Sequence, residues 1–321
     1  MIELRNVEKR FVVRTKTGRL RRERREVRAV DGISYGIERG DMTGYLGPNG
    51  AGKSTTVKML TGILVPSAGE IRVAGLDPSR QRIELARRIG VVFGQRSQLW
   101  WDLPLADSFQ LLRHIYRVPA VRHRENLERF AALLGLGEFM AVPVRQLSLG
   151  QRMRGELTAA LLHDPEVVFL DEPTIGLDVV AKAAIREFLA EVNRERGVTV
   201  LLTTHDLADI ERLCSRLLII DHGRMIWDGG IDELKQEHGR ERTLVVDLEE
   251  PEPPLELAGT RVVRVEGARQ WLAFRRDETS AAELIAAVAA KARLLDVAIE
   301  ETEIEEIVRR IYAAGAAPPA T

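Results

Sequence analysis

The feature that most constrains this chain is a glycine-rich stretch, Gly-Pro-Asn-Gly-Ala-Gly-Lys-Ser-Thr, over residues 47–55. It matches the pattern G-x-x-x-x-G-K-[ST], in which glycines let the backbone wrap closely around a phosphate and aim successive N–H groups at it. Residues 42–46 before it are typical of a short buried strand, and residues 56–61 after it continue as a helix. This order of strand, loop and helix predicts a phosphate-binding loop within an α/β sheet.

The polar residues of this loop have distinct chemical uses. Lys53 carries a positive charge that we expect to reach the β- and γ-phosphates of a nucleotide, and the Ser54 hydroxyl suits Mg²⁺. The helix that begins at Lys53 also turns the positive end of its dipole toward the anion. We predict that the whole loop contacts the nucleotide, namely Gly47, Pro48, Asn49, Gly50, Ala51, Gly52, Lys53, Ser54 and Thr55.

Composition argues against several other classes of protein, namely nucleic-acid-binding, disulfide-linked and membrane-spanning chains. The net charge of −1 over 321 residues gives no reason to expect a nucleic-acid partner for the chain as a whole. The single cysteine, Cys214, cannot form an internal disulfide, which fits a reducing compartment. Apolar runs such as residues 217–220 are strand-sized, and the N-terminus lacks the pattern of a signal peptide. We therefore expect that, if the protein works at a membrane, another chain spans it.

Two further buried strands end in groups that could act on a phosphate. Residues 167–172 read as four apolar residues followed by Asp171 and Glu172, which places both acids at the ligand-binding end of a parallel strand. Asp171 suits Mg²⁺ through its water shell, and Glu172 suits polarising a water beside the γ-phosphate. The strand over residues 198–203 is followed by His205, which by itself is equally consistent with a γ-phosphate contact and with a structural histidine.

The order of predicted elements indicates an α/β fold of the P-loop NTPase type. Residues 1–13 and 29–38 predict an N-terminal antiparallel β subdomain, and a helical insert over about residues 105–160 interrupts the strand and helix alternation. Residues 239–313 predict a small α+β accessory domain. We therefore expect domains at 1–238 and 239–313, with a disordered tail at 314–321.

A basic segment separates the first two predicted strands. Residues 14–28 contain eight lysines and arginines and only two glutamates. Such a run is usually the solvated extension of a hairpin. The alternative is attraction to anionic headgroups at a membrane surface.

These motifs stand in one order that resembles the nucleotide-binding subunit of ATP-binding cassette (ABC) transporters, over about residues 1–237. In this resemblance residues 47–55 correspond to the Walker A motif, residues 147–151 to the signature, residues 167–172 to Walker B and residues 176–178 to the D-loop. Gln95 corresponds to the Q-loop glutamine and implies a further Mg²⁺ ligand, His205 corresponds to the switch histidine, and Phe11 corresponds to the aromatic residue that stacks on adenine.

The resemblance implies ATP and Mg²⁺ as cofactors, a separate permease as partner, and a head-to-tail dimer of cassettes. Ser148, Gly150 and Gln151 of the signature, together with Asp178, would then face the ATP held by the other subunit. Leu149 stands where a glycine is common, which leaves open how tightly the dimer closes. Whether the second cassette is another copy or a homologue also remains open.

The resemblance further implies a peripheral position at the cytoplasmic face of the membrane, and the appended C-terminal region favours export by analogy. Trp100 and Trp101 follow the Q-loop and could equally contact the permease or pack in the core. Two other classes of function stay open. They are a soluble ABC ATPase in DNA maintenance or translation, and a non-transport P-loop enzyme such as a kinase.

Overall fold

The computed structural model describes residues 1–16, 22–94, 97–204, 206–239, 241–275 and 277–315. These form two compact units, Met1–Gly229 and Gly230–Thr321. The helix over residues 231–238, assigned to the first domain on sequence grounds, groups with the second unit. The predicted tail at 314–321 falls almost wholly outside the described residues.

A six-stranded sheet forms the centre of the first unit. Its strand order is β5-β6-β7-β3-β8-β9, and the five strands from β5 to β8 run parallel. The strands are β3 Met42–Leu46, β5 Ile89–Phe93, β6 Val167–Asp171, β7 Thr199–Thr203, β8 Arg216–Asp221 and β9 Arg224–Gly230. Because parallel strands are covered on both faces, they read as nearly continuous apolar runs, and every residue of β3 and β7 is buried.

A second sheet of the first unit is antiparallel, with the order β2-β1-β4. Its strands are β1 Ile2–Lys16, β2 Arg22–Ile37 and β4 Ala68–Val73. The first two are longer than the sequence predicts, because the basic segment continues both strands. The apolar residues of this sheet share one core with those of the central sheet, and Ile2, Tyr45 and Phe169 are completely buried in it.

In the described part of the first unit, α-helices pack around these sheets. They are α1 Lys53–Leu60, α2 Arg82–Ala86, α3 Leu105–Tyr116, α4 Ala120–Leu134, α5 Leu149–Leu161, α6 Val179–Arg196 and α7 Leu207–Leu213. Helices α3 to α5 lie between β5 and β6 in the chain. Helix α5 approaches β5 so closely that a β-carbon on Gly90 would lie 2.2 Å from the carbonyl oxygen of Ala160. Glycine at this position therefore seats α5 directly on the sheet.

The second unit is a four-stranded antiparallel sheet with helices. It contains α8 Ile231–His238, β10 Glu241–Leu248, β11 Thr260–Glu266, β12 Arg269–Arg275, α9 Ala281–Lys291, β13 Leu294–Glu301 and α10 Ile304–Gly315, with the strand order β11-β12-β10-β13. Leu244 and Leu272 of the sheet share an apolar core with Leu284 and Val288 of α9. Within the described ranges, no helix of either unit has the length and apolar character needed to cross a membrane.

Candidate functional site

The glycine-rich loop lies between β3 and α1, and two of its glycines have no substitute. Gly52 has φ +110°, and a β-carbon there would lie 2.4 Å from the carbonyl oxygen of Ala29. A β-carbon on Gly47 would lie 2.6 Å from the carbonyl oxygen of Ile220 at the end of β8. The neighbouring strands therefore fix the path of the loop, and only glycine fits at both ends of it.

Lys53, the first residue of α1, is 8% exposed. Its ammonium group donates hydrogen bonds to the carbonyl oxygens of Gly47 and Pro48, the latter at 3.2 Å. Burial lowers the pKa of Lys53, and the nearby carboxylates of Glu172 and Asp171 act in the opposite direction. The cation of the loop and the two acids therefore lie within electrostatic reach of one another.

The end of β6 places these acids. Asp171 is in register with Phe93 of β5 and Thr203 of β7, and the Thr203 hydroxyl donates a hydrogen bond to the Asp171 carboxylate. Glu172 leaves the strand with φ +57°, and its backbone N–H donates to the carbonyl oxygen of Thr203 at 2.9 Å. A non-glycine residue in this left-handed conformation is uncommon, which marks the position as a constrained one at the edge of the sheet.

The oxygen atoms of Ser54 and Asp171 are of the type that Mg²⁺ prefers, and this ion usually takes few protein ligands because phosphate and water complete its shell. No group of three or more histidine, cysteine or acidic residues that could hold a metal occurs in the part of the chain that the structure describes. Gln95, the predicted third oxygen ligand, and His205 lie outside the described residues.

The signature residues form the start of α5. The Ser148 hydroxyl accepts a hydrogen bond from the backbone N–H of Gln151 at 3.2 Å, and the Gln151 side chain accepts one from the Ser148 N–H at 2.9 Å. This reciprocal cap satisfies two N–H groups of the first turn. Ser148 is exposed, and Gly150 lies beside the first turn of α6, where its β-carbon would be 3.5 Å from that of Ala181.

Asp178 is the N-cap of α6, and its carboxylate accepts a hydrogen bond from the Ala181 N–H at 2.8 Å. This contact gives Asp178 a structural use within its own chain. A contact from Asp178 to a nucleotide in a second subunit remains a prediction.

Phe11 lies in β1, in register with Val27 of β2, and its side chain is 36% exposed. The Lys9 ammonium lies 5.3 Å from the centre of the Phe11 ring. An exposed ring of this kind can stack on a planar base.

An ion-pair network centred on a buried aspartate, which the sequence did not predict, joins the loop after β6 to α6 and α7. Asp209 is completely buried and accepts hydrogen bonds from the Thr174 hydroxyl and from the Arg186 Nε, the latter at 2.5 Å. The Lys182 ammonium lies 2.6 Å from the Asp206 carboxylate and lowers its pKa. The spacing of Asp206 and Asp209 after β7 is the only sequence signal of this network, and it does not reveal the partners on α6.

A buried acid on α5 was also missed. Glu156 accepts hydrogen bonds from the Ser97 hydroxyl and from the backbone N–H of Gln98, the latter at 3.2 Å. The Gln98 side-chain amide in turn donates to the backbone carbonyl of Glu156 at 3.1 Å. The segment that follows Gln95 and Arg96 is thereby tied to the helix that carries the signature.

The amino-acid sequence is similar to known proteins over the region that contains these residues. The family model described as ABC transporter matches residues 30–175. The ABC transporter ATP-binding protein NatA of Bacillus subtilis is 33% identical over 67% of this chain and 87% of its own length. The Nod factor export ATP-binding protein I of Ralstonia nicotianae is 38% identical over 67% of this chain and 66% of its own length.

Among solved structures, the chain resembles the dimeric post-hydrolysis state of the ATP-binding cassette MJ0796 bound to ADP and Pi. The TM-score is 0.61 at 25% identity, and the match covers 72% of this chain and 99% of that one. The predicted fold class, an α/β sheet of the P-loop NTPase type, is confirmed by this likeness and by the observed strand order.

Proposed function

The chain belongs to the family of ABC transporter ATP-binding proteins, and from this premise we propose how its residues drive a separate membrane permease. As a member of this family it binds and hydrolyses ATP, and it works as a dimer of cassettes with separate transmembrane components. We infer export as the direction of transport, because an export ATP-binding protein is among its relatives. We also place the protein at the cytoplasmic face of the membrane.

The observation that carries the catalytic proposal is geometric: the buried Lys53 follows β3, and Asp171 and Glu172 end β6, at the same C-terminal edge of the parallel central sheet. A cation that holds phosphate and a pair of carboxylates are the groups that hydrolysis of a phosphoanhydride needs. In this proposal Lys53 binds the β- and γ-phosphates, while the N–H groups of residues 47–55 surround them.

Glu172 acts as the general base in this proposal. Its carboxylate accepts a proton from the attacking water as the new O–P bond forms at the γ-phosphorus, and ADP leaves with the electron pair of the broken P–O bond. Ser54, Asp171 and Gln95 would hold Mg²⁺, which neutralises charge on the phosphates when bound. His205 would contact the γ-phosphate, and Phe11 would stack on the adenine.

The second cassette completes each site. In a head-to-tail dimer, Ser148 and Gly150 at the N-terminus of α5 face the γ-phosphate of the partner, with Gln151 and Asp178 beside them. The reciprocal cap between Ser148 and Gln151 orders this helix end before the subunits meet. Hydrolysis therefore depends on dimer closure, which transmits motion to the permease.

The substitution Glu172→Gln tests the base. We expect ATP binding to persist and steady-state hydrolysis to fall by about 10²- to 10⁴-fold, the usual contribution of a general base. The matched control is Glu166→Gln, at a partly exposed glutamate just before β6 whose side chain is 37% exposed and pairs with Arg88 at 3.7 Å. Hydrolysis near the wild-type rate in Glu172→Gln would refute the assignment.

A mild-detergent pull-down of the tagged protein from native membranes tests the partner. A polytopic chain held in fixed ratio supports the transporter, whereas ribosomes or DNA would support the soluble class of ABC ATPase. Trp100 and Trp101, which are 37% and 51% exposed, supply apolar surface for the permease contact. Loss of the polytopic partner in Trp100→Ala/Trp101→Ala, with hydrolysis retained, would assign the contact to this pair.

A further inference from the structure

The strands β1 and β2 extend beyond their sheet as a two-stranded ribbon. The third strand, β4, pairs with β1 only as far as Glu8 opposite Ala68. The pairing of β1 with β2 continues to Lys16 opposite Arg22. Residues 10–16 and 22–28 therefore form an arm of about 20 Å, at about 3.3 Å per residue.

The register of this ribbon sets cations directly opposite cations. It pairs Arg14 with Arg24 and Lys16 with Arg22. Residues opposite each other in an antiparallel pair belong to the same face, and every second residue along a strand shares that face. One face of the outer ribbon therefore carries these four cationic residues at successive positions.

Like charges directly opposite each other destabilise a strand pair. At the base of the same face, Arg10 opposite Arg28 is compensated, since Glu26 lies 3.5 Å from Arg10 and 4.0 Å from Arg28. Glu26 is opposite Val12 on this face, and the two pairs beyond it, Arg14 with Arg24 and Lys16 with Arg22, consist of cations alone. An anionic partner that lies against this face would offset the repulsion between these cations.

The charge of the ribbon also contrasts with that of the whole chain. Residues 10–16 and 22–28 contain seven lysines and arginines and two glutamates, a net charge of 7 − 2 = +5. Since the chain as a whole carries −1, the remaining residues carry −1 − 5 = −6. An acidic body with one cationic arm favours contact with a polyanion through that arm alone.

Apolar side chains accompany the cations. Val12, Val13 and Val27 are 64%, 47% and 41% exposed. An extended array of cations and exposed aliphatic groups suits a laterally continuous anionic surface more than a single acidic peptide.

We propose that the ribbon of residues 10–16 and 22–28 binds the anionic headgroups of the membrane beside the permease. The inference rests on the proposed function, which places the cassette at that surface. Each lysine or arginine near an anionic surface raises the partition coefficient about fivefold, and the effect decays within a Debye length.

Flotation of the purified full-length protein with lipid vesicles tests the proposal. We expect retention on vesicles that contain phosphatidylglycerol, no retention on phosphatidylcholine alone, and release in about 1 M salt. The variant Arg14→Gln/Lys16→Gln/Arg22→Gln/Arg24→Gln should lose about 100-fold or more in partition coefficient. Equal retention of this variant, or equal binding to both lipids, would overturn the proposal.

The control variant removes the same charge elsewhere, through Arg39→Gln/Arg80→Gln/Arg87→Gln/Arg293→Gln, four exposed positions outside the ribbon. It should float like the wild type, and an equal loss would show a non-specific charge effect and overturn the proposal. The proposal would also be overturned if the ribbon variant lost its retention by single-stranded DNA but still bound vesicles like the wild type. ATP hydrolysis is measured on the same samples. If the wild-type protein does not hydrolyse ATP, the proposed function fails, and this outcome is distinct from a loss of vesicle binding.

Discussion

A β-carbon on Gly176 would lie 3.0 Å from Cδ2 of Leu149. Leu149 is the signature residue that departs from the family pattern, and Gly176 belongs to the loop after β6. The leucine side chain at the start of α5 therefore fits because Gly176 in the loop has no side chain. In the proposed dimer, the start of α5 and this loop both face the partner cassette. The contact therefore couples the two segments within one subunit.

The substitution Gly176→Ala should disturb both segments. Gly176 has φ +70°, where a β-carbon is strained, and the added methyl would also meet Leu149. We expect a cost of about 1–2 kcal/mol in the dimer, seen as about a 5- to 30-fold fall in hydrolysis. ATP binding by the isolated subunit, followed with a fluorescent nucleotide, should be unchanged.

A second variant separates contact from backbone strain. Leu149→Ala added to Gly176→Ala removes the clash and leaves the unfavourable φ, so hydrolysis should recover in part. Gly137→Ala is the neutral control, because no atom lies within 4 Å of the β-carbon it would add. Strictly additive effects of the two substitutions would contradict the coupling.

Thr203→Val should weaken the proposed Mg²⁺ site. Thr203 is completely buried, and valine keeps its shape while removing the hydroxyl that donates to Asp171. Loss of such an outer partner typically lowers metal affinity about 10- to 100-fold. The Mg²⁺ dependence of ATP hydrolysis should shift accordingly to higher concentration.

Thr43→Val is the matched control for this change. Thr43 is equally buried in β3, and its hydroxyl has no hydrogen-bond partner in the structure as described. Valine there should leave both stability and the Mg²⁺ dependence near wild type. An unshifted Mg²⁺ curve in Thr203→Val would exclude Thr203 as a residue that positions Asp171.

The sequence predicted the central sheet well because its strands are short apolar runs that end in chemically distinctive residues. The order of Lys53, Asp171 and Glu172 along the chain was enough to expect them at one edge, since parallel strands end there together. The basic segment was predicted as the extension of a hairpin, and the pairing of β1 with β2 as far as Lys16 and Arg22 agrees with this. The predicted strands nevertheless stopped at Val13 and resumed at Ala29, because charged residues hide the alternation of a strand.

Contacts between distant parts of the chain could not be predicted in the same way. Glu156 and Gln98 are separated by 58 residues, and Thr203 and Asp171 by 32. Periodicity reports only which face of an element is buried, and a buried acid on such a face gives no indication of its partner. The register between strands and the docking of α5 on β5 decide these pairs.

Glu156 should make stability depend on pH. Burial raises the pKa of Glu156 above its ordinary value of 4.5, although its hydrogen bonds with Ser97 and Gln98 act in the opposite direction. The folded state therefore holds the proton more tightly than the unfolded state. Its stabilising effect is complete below pH 4.5 and is lost as pH rises through the elevated value, by about 1.4 kcal/mol for each unit of elevation.

Denaturant unfolding of wild type and Glu156→Gln across this pH range measures the effect. The free energy of unfolding of the wild type, relative to the variant, should decrease as pH rises above 4.5. Glu128→Gln, at an exposed position of α4, is the control and should track the wild type. A constant difference between wild type and Glu156→Gln would contradict the raised pKa.

Phe11→Ala should weaken ATP binding without changing the protein fold, because the ring is partly exposed at the base of the ribbon. Stacking of an aromatic ring on a base contributes about 1–3 kcal/mol, so the Kd for ATP should rise about 5- to 160-fold. Phe11→Trp should restore binding, since stacking requires only a flat aromatic face.

Val13→Ala, two residues further along the same face of β1, is the control and should bind ATP like the wild type. Fluorescent-nucleotide titration measures all three variants, and equal affinity of Phe11→Ala and wild type would exclude Phe11 from the adenine site.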